Sequence, residues 1–156
     1  MAKKILVAVD DSENARRAVN FLADNFVRDL QITLFSVCPD TASLCAMDSP
    51  ALIPYFKSRQ SDFCALEDEK KKLVQEALDG AKEKLMEKGF SPENIKVKLL
   101  TKKEGIARDI VNEALLGYDL IIMGRRGVSA VKEFFLGSIS QKVINMAKDI
   151  SVLIVN

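Results

Sequence analysis

Three of the chain's seven glycines, Gly124, Gly127 and Gly137, fall within one stretch of fourteen residues, and Ser138 follows the last of them directly. Gly124 comes at the end of an apolar run, where the chain must leave a strand. Gly137 and Ser138 precede a helical pattern, and Ser138 with Gln141 has the spacing of a capping box, which predicts the helix start at Ser138. A helix start offers backbone N–H groups without intrahelical partners and a partial positive charge. Glycines beside it let those amides reach an anion with no side chain between. The chemistry this stretch can do is therefore phosphate binding by backbone donors. On spacing alone, the same glycines serve equally well as plain turn residues. A second element is Asp10, which follows Val9 at the end of the first apolar run. A carboxylate there can accept from a ribose hydroxyl or an adenine amino group. Asp11, one step further out, reads as a solvated turn residue.

These residues need elements to bring them together. Short apolar runs at 5–9, 31–37, 95–101, 119–123 and 151–155 predict strands. Helical spacing marks 12–26, with Ala15, Ala18, Val19, Leu22, Ala23 and Phe26 inward and Asp11 or Ser12 as cap. It marks a long helix over 63–88, with Leu66, Leu73, Val74, Ala77, Leu78, Ala81 and Leu85 on one face and Gly89 at the C′ position. Two shorter helices follow, 105–117 with Ile106, Ile110, Val111, Ala114 and Leu115 inward, and 138–148 with Ile139, Val143, Ile144 and Ala147 inward. Residues 39–62 hold three of the four prolines and read as a long connection with short helical pieces. Strands apolar on both faces, alternating with helices, predict an α/β domain with a parallel, doubly wound sheet. In such a sheet a ligand lies at the carboxyl ends of the strands where their order reverses. If strands one and four are neighbours, Asp10 and the glycine stretch flank one crevice. The end of strand two, near Val37, then edges it.

Composition narrows the chemistry. With 23 basic and 22 acidic residues, nothing points to a nucleic-acid surface. There is no histidine, which removes serine–histidine and cysteine–histidine catalysis, histidine zinc sites and imidazole acid–base steps. Cys38, Cys45 and Cys64 are odd in number and form no CxxC, so three free thiols and a cytoplasmic location are expected, with a redox role for Cys38 and Cys45 the weaker reading. The apolar run after Lys3 and Lys4 is five residues long and ends in acids, too short for a signal peptide, and no stretch is long enough to span a membrane. Lys70, Lys71 and Lys72 read as a solvated helix face, and Phe134 and Phe135 as residues that dock their loop.

Gly124-Arg125-Arg126-Gly127, nine residues, then Gly137-Ser138 resembles the G-x2-G-x9-G-[S/T] signature of the universal stress proteins. The opening from Lys3 to Val19 and the ending from Leu136 to Asn156 are similar to that family too, so the likeness covers essentially the whole chain, 1–156, as one domain. It implies a Rossmann-like fold with a five-stranded parallel sheet, order 3-2-1-4-5, and a homodimer paired along Val152–Val155. For the ATP-binding branch it implies that Asp10, with Val9 before it, meets the adenosine portion and that Val37 gives backbone contacts to adenine. Gly124, Gly127, Gly137 and Ser138 would then hold ribose and phosphates, Met123 would line the pocket, and the amide of Ile139 would donate to phosphate. Arg125 and Arg126 put two cations in the loop, of which Arg126 is the better phosphate ligand. Where the family often has a proline before the last strand, Ile150-Ser151 stands here.

The expected function is that of an ATP-binding dimeric switch or sensor in stress response, with Mg²⁺ carried on the phosphates and an unidentified protein partner. A nucleotide-free dimeric scaffold, using 39–62 as its interaction surface, is the alternative. A slow ATPase is a third reading, weakened by the lack of a convincing base near the γ-phosphate.

Overall fold

The computed structural model describes residues 3–41, 45, 54–125 and 136–156. Five strands form the sheet: β1 (Lys4–Ala8), β2 (Gln31–Cys38), β3 (Ile95–Thr101), β4 (Leu120–Gly124) and β5 (Ser151–Val155). All pairings are parallel, as the sequence pattern implies, and the order is β3-β2-β1-β4-β5, as the resemblance implies. The reversal therefore falls at β1, with β2 on one side and β4 on the other. β1 is buried through Ile5, Leu6 and Val7, which explains its unbroken apolar run. Val9 continues the ladder beyond the strand by donating to the Phe35 carbonyl at 2.8 Å.

Among the described residues four α-helices cover the sheet: α1 (Glu13–Asn25), α2 (Pro54–Glu87), α3 (Ile106–Ala114) and α4 (Ser138–Met146). α1 and α2 share one core with Val7, Leu34 and Ile122, and α3 and α4 share the other with Leu6, Phe35 and Ile121. Ser12 caps α1, its hydroxyl accepting from the Ala15 amide at 3.1 Å. The inward residues of α1 are as the spacing predicts.

α2 departs from the expectation. It begins at Pro54, nine residues before the predicted start, so part of 39–62 is helix. Proline lacks only an amide that the first turn leaves unpaired, so Pro54 opens a helix where it reads as a breaker. Its far end is as expected. Gly89, at φ +92°, donates to Met86, and Phe90 donates to Leu85 across a double-bonded helix stop in which Leu85 and Phe90 are both buried. The apolar face of α2 is covered only in its second half. Leu78, Ala81 and Leu85 are buried, whereas Leu66 and Leu73 are exposed because the helix runs on past the sheet. Leu115 and Ile144 are likewise exposed, each at the boundary of its helix's buried face.

α3 is pinned by polar groups as well. Buried Asp109 accepts from the amides of Lys103 and Glu104, ahead of the helix, at 2.8 and 3.1 Å. Buried Glu113 takes Lys98 Nζ at 2.6 Å on one oxygen and lies 3.3 Å from the Tyr118 hydroxyl on the other. Tyr118 also lies 3.0 Å from Thr33 on β2, and burial pushes its phenol up from the usual value.

β5 lies at one edge of the sheet, with Val152, Leu153 and Ile154 half-buried. None of the helices among the described residues is long and apolar enough to cross a membrane.

Candidate functional site

A cavity of 790 Å³ opens at the carboxyl ends of β1, β2 and β4. It collects Val9, Asp10, Val37, Met123, Gly124, Gly137, Ser138 and Ile139, eight of the ten residues singled out from the sequence. Arg126 and Gly127 lie outside the described residues, as do Phe134 and Phe135. β2 and β4 flank β1, so the Val37 and Gly124 ends of the cavity are two strand spacings apart, about 10 Å.

At the β1 end, the Asp10 carboxylate accepts from the Ser12 amide at 2.9 Å. That contact fixes the turn into α1, and it leaves the second oxygen of the carboxylate for other partners. Asp11 lines the same cavity, contrary to its reading as a solvated turn residue only.

At the β4 end, α4 starts at Ser138, as its predicted range has it, but the cap position is one residue earlier than expected. Gly137 occupies the cap position and Ser138 is the first helical residue, so the capping-box reading of Ser138 with Gln141 is corrected. Gly137 has an extended backbone and no side chain to cap with. Its amide is also spoken for, donating to the Arg125 carbonyl at 2.9 Å, while its carbonyl accepts from Gln141. The donors that α4 turns to the cavity are thus the amides of Ser138, Ile139 and Ser140, which precede the first intrahelical bond. They carry the positive end of the helix dipole.

Gly124 has a reason to be glycine that spacing does not reveal. A Cβ there would stand 2.6 Å from the Asn14 backbone, closer than any side chain tolerates. The residue admits the first turn of α1 against the end of β4. Access to phosphate is not what excludes a side chain at this position.

Ser140 is a site residue that the sequence reading missed. Buried in the cavity wall, it donates its hydroxyl to the Gly124 carbonyl at 3.0 Å and so ties α4 to the strand end. A hydroxyl on the inward face of an otherwise apolar helix was the available signal. α2 supplies the remaining missed wall, with Glu67, Asp68, Lys70, Lys71, Leu73 and Val74. Lys70 and Lys71 face the cavity, which corrects their reading as a purely solvated face; Lys70 pairs with Glu67 at 3.1 Å. Cys38, at the end of β2, is buried in the same wall. Burial pushes its thiol above the usual range, and the nearby Lys71 ammonium opposes the shift.

The expectation of three free thiols fails for two of them. Cys45 and Cys64 form a disulfide, with Cα atoms 5.9 Å apart, and only Cys38 remains free. The bond brings Cys45, beyond the end of β2, to Cys64 on α2, a return in space that residue spacing does not encode.

The arrangement suits an adenine nucleotide. Amides without intrahelical partners face the cavity at one end, a carboxylate stands at its middle, and backbone and apolar groups of β2 lie at the other end. Among the described residues no group of three or more acidic or cysteine side chains is placed to hold a metal.

A model of the universal stress protein family matches residues 1–156. The chain belongs to the universal stress protein family. It is 33% identical over 148 residues to the universal stress protein YxiE of Bacillus subtilis, covering 94% of this chain and 95% of that protein. The universal stress protein UspA of Lactobacillus plantarum has the same fold, with a TM-score of 0.70 at 24% identity over 99% of this chain and 97% of that one. A universal stress protein solved in complex with cAMP superposes with a TM-score of 0.62 at 18% identity, over 99% and 97%.

Proposed function

We propose that this universal stress protein binds ATP, with Mg²⁺ on the phosphates, and works as a nucleotide-dependent dimeric switch or sensor. The observation that carries the reading is the cavity. It unites the Asp10 carboxylate, the exit of β2 and the amide-bearing start of α4 over about 10 Å, the span of two strand spacings. Adenine takes the β2 end beside Val37, Asp10 holds the adenosine portion, and the amides of Ser138, Ile139 and Ser140 meet the phosphates. Arg126 and Gly127 join the phosphate end on the strength of the sequence signature. The cAMP complex of one structural neighbour is an observation on that protein, and it supports the reading that this fold can hold an adenine nucleotide. Binding is proposed over turnover: Asp10 belongs to the adenosine end, far from the γ-phosphate. The homodimer is proposed to form along β5, where a half-buried apolar edge strand offers unpaired backbone groups.

Protein purified without added nucleotide tests this directly. The chain has no tryptophan and two tyrosines, so bound adenine dominates its ultraviolet absorption. Acid extraction is expected to release an adenine nucleotide, and calorimetry of the emptied protein to register ATP. Gly127→Val is expected to abolish that uptake while the protein stays folded. Full affinity in a folded Gly127→Val protein removes the glycine cradle from the reading.

The scaffold reading draws on one observation, the exposed Phe63 and Leu66 on the first half of α2. Protein that carries no adenine and takes up no ATP would favour it.

A further inference from the structure

We propose that the Cys45–Cys64 disulfide is a redox switch on nucleotide binding. Closed, it holds one wall of the cavity in the shape that takes ATP; opened, it releases that wall and weakens ATP. The proposal rests on the nucleotide reading above.

The bond joins two parts of the wall. Pro39, Asp40, Thr41 and Cys45 line the cavity as the chain leaves β2. Cys64 sits on α2 three, four and seven residues before Glu67, Asp68 and Lys71, so all four share one helix face, and the last three line the cavity. The disulfide thus fastens the exit of β2 to the cavity-facing stripe of α2. Packing fixes this stretch of α2 weakly. Among its described residues burial begins at Leu78, whereas Phe63, Leu66 and Leu73 are exposed. A covalent tie is what sets the wall, and a wall ordered in advance spares the ligand the cost of ordering it.

The chemistry suits a switch. Cys45 is exposed and Cys64 half-buried, so small thiols and disulfides reach the pair. To close it, a Cys45 thiolate attacks one sulfur of a low-molecular-weight disulfide and expels the first small thiol. The Cys64 thiolate then attacks the Cys45 sulfur of that mixed disulfide and expels the second. Two electrons pass to the small disulfide, and a dithiol reverses both steps. The third cysteine does not interfere. Cys38 is buried and held in its thiol form, which neither attacks nor scrambles the bond.

The test titrates ATP into protein oxidised with glutathione disulfide and into protein reduced with dithiothreitol, with maleimide mass labelling of the unfolded chain to count thiols. One labelled thiol in the oxidised form and three in the reduced form are expected. ATP should bind at least fivefold more weakly after reduction. Cys64→Ser, which removes the bond from outside the cavity lining, should match the reduced form and ignore redox treatment; Cys45→Ser should do the same. Equal ATP affinity in the two forms, with the thiol count changing from one to three, overturns the switch and leaves the nucleotide reading standing. Three labelled thiols after oxidation also overturn it. No ATP uptake in either form overturns the nucleotide reading, and the switch with it.

Discussion

Two helices begin at the rim of the same cavity, and they begin differently. At α1 the Ser12 side chain occupies the Ala15 amide, and the Asp10 carboxylate occupies the Ser12 amide. At α4 the cap position is glycine and makes no side-chain hydrogen bond, so the first amides are turned to the cavity without a cap. Glycine at a cap costs only roughly a few tenths of a kcal/mol relative to a capping side chain. The α1 start is capped by side chains of its own chain, whereas at the α4 start no side chain occupies the cap position. On the nucleotide reading proposed above, the difference is that between a structural helix terminus and a binding one.

Three substitutions and one rate measurement sharpen or break that contrast. The largest effect is expected from Ser138→Pro. Proline is well suited to the first helical position, and the extended backbone of Gly137 (φ −67°, ψ 157°) accepts a following proline. The change deletes one cavity-facing amide and leaves the helix intact. ATP affinity should fall at least tenfold, about 1.5–3 kcal/mol for a hydrogen bond to a charged group, with the melting temperature unmoved. A folded Ser138→Pro protein with full affinity means that the α4 start is no more a binding terminus than the α1 start.

Next comes Gly124→Ala, whose Cβ meets the Asn14 backbone. Overpacking of this kind costs about 1–3 kcal/mol, read in a denaturant titration. Unchanged stability would show that α1 does not need the close approach. Ser12→Ala mirrors Ser138→Pro. It should cost about 1 kcal/mol, lowering the melting temperature by about 2–4 °C, and leave ATP affinity within about threefold. A larger loss of affinity than of stability would erase the distinction between the two starts. The smallest effect is kinetic. Cys38 should alkylate more slowly than a free thiol at pH 8, because burial keeps it protonated. Its rate should rise with pH to beyond the ordinary thiol value of 9.0, and ATP should slow it further. Alkylation at the rate of a free thiol would show that the β2 end of the cavity is open to solvent.

The fold was legible because its elements are dictated by local pattern. Apolar runs such as Ile5–Val7 fit only a strand buried on both faces, and the order of elements left few ways to wind the sheet. Of the eight candidate-site residues in the cavity, Asp10, Gly124, Gly137 and Ser138 were legible because strand ends and helix starts are marked in sequence by aspartate, glycine and serine, whereas Met123 and Ile139 came from the family resemblance. What was misread depends on contacts distant in sequence. The reason for Gly124 lies in Asn14, on another element. Ser138 mimics a cap in sequence, and only the backbone shows that Gly137 holds that place. Leu66 and Leu73 obey helical spacing, yet the sheet ends before it can cover them. Cys45 and Cys64 meet through the course of the chain after β2, which no local pattern records.

The hydrogen bond from the Gly137 amide to the Arg125 carbonyl has a consequence for how this site can be rebuilt. Arg125 is itself anchored to Val155, and Ser140 clasps Gly124, so the residues on either side of 126–135 are tied to the sheet. Substitutions within 126–135 should therefore change what the site binds before they change the aim of the α4 amides.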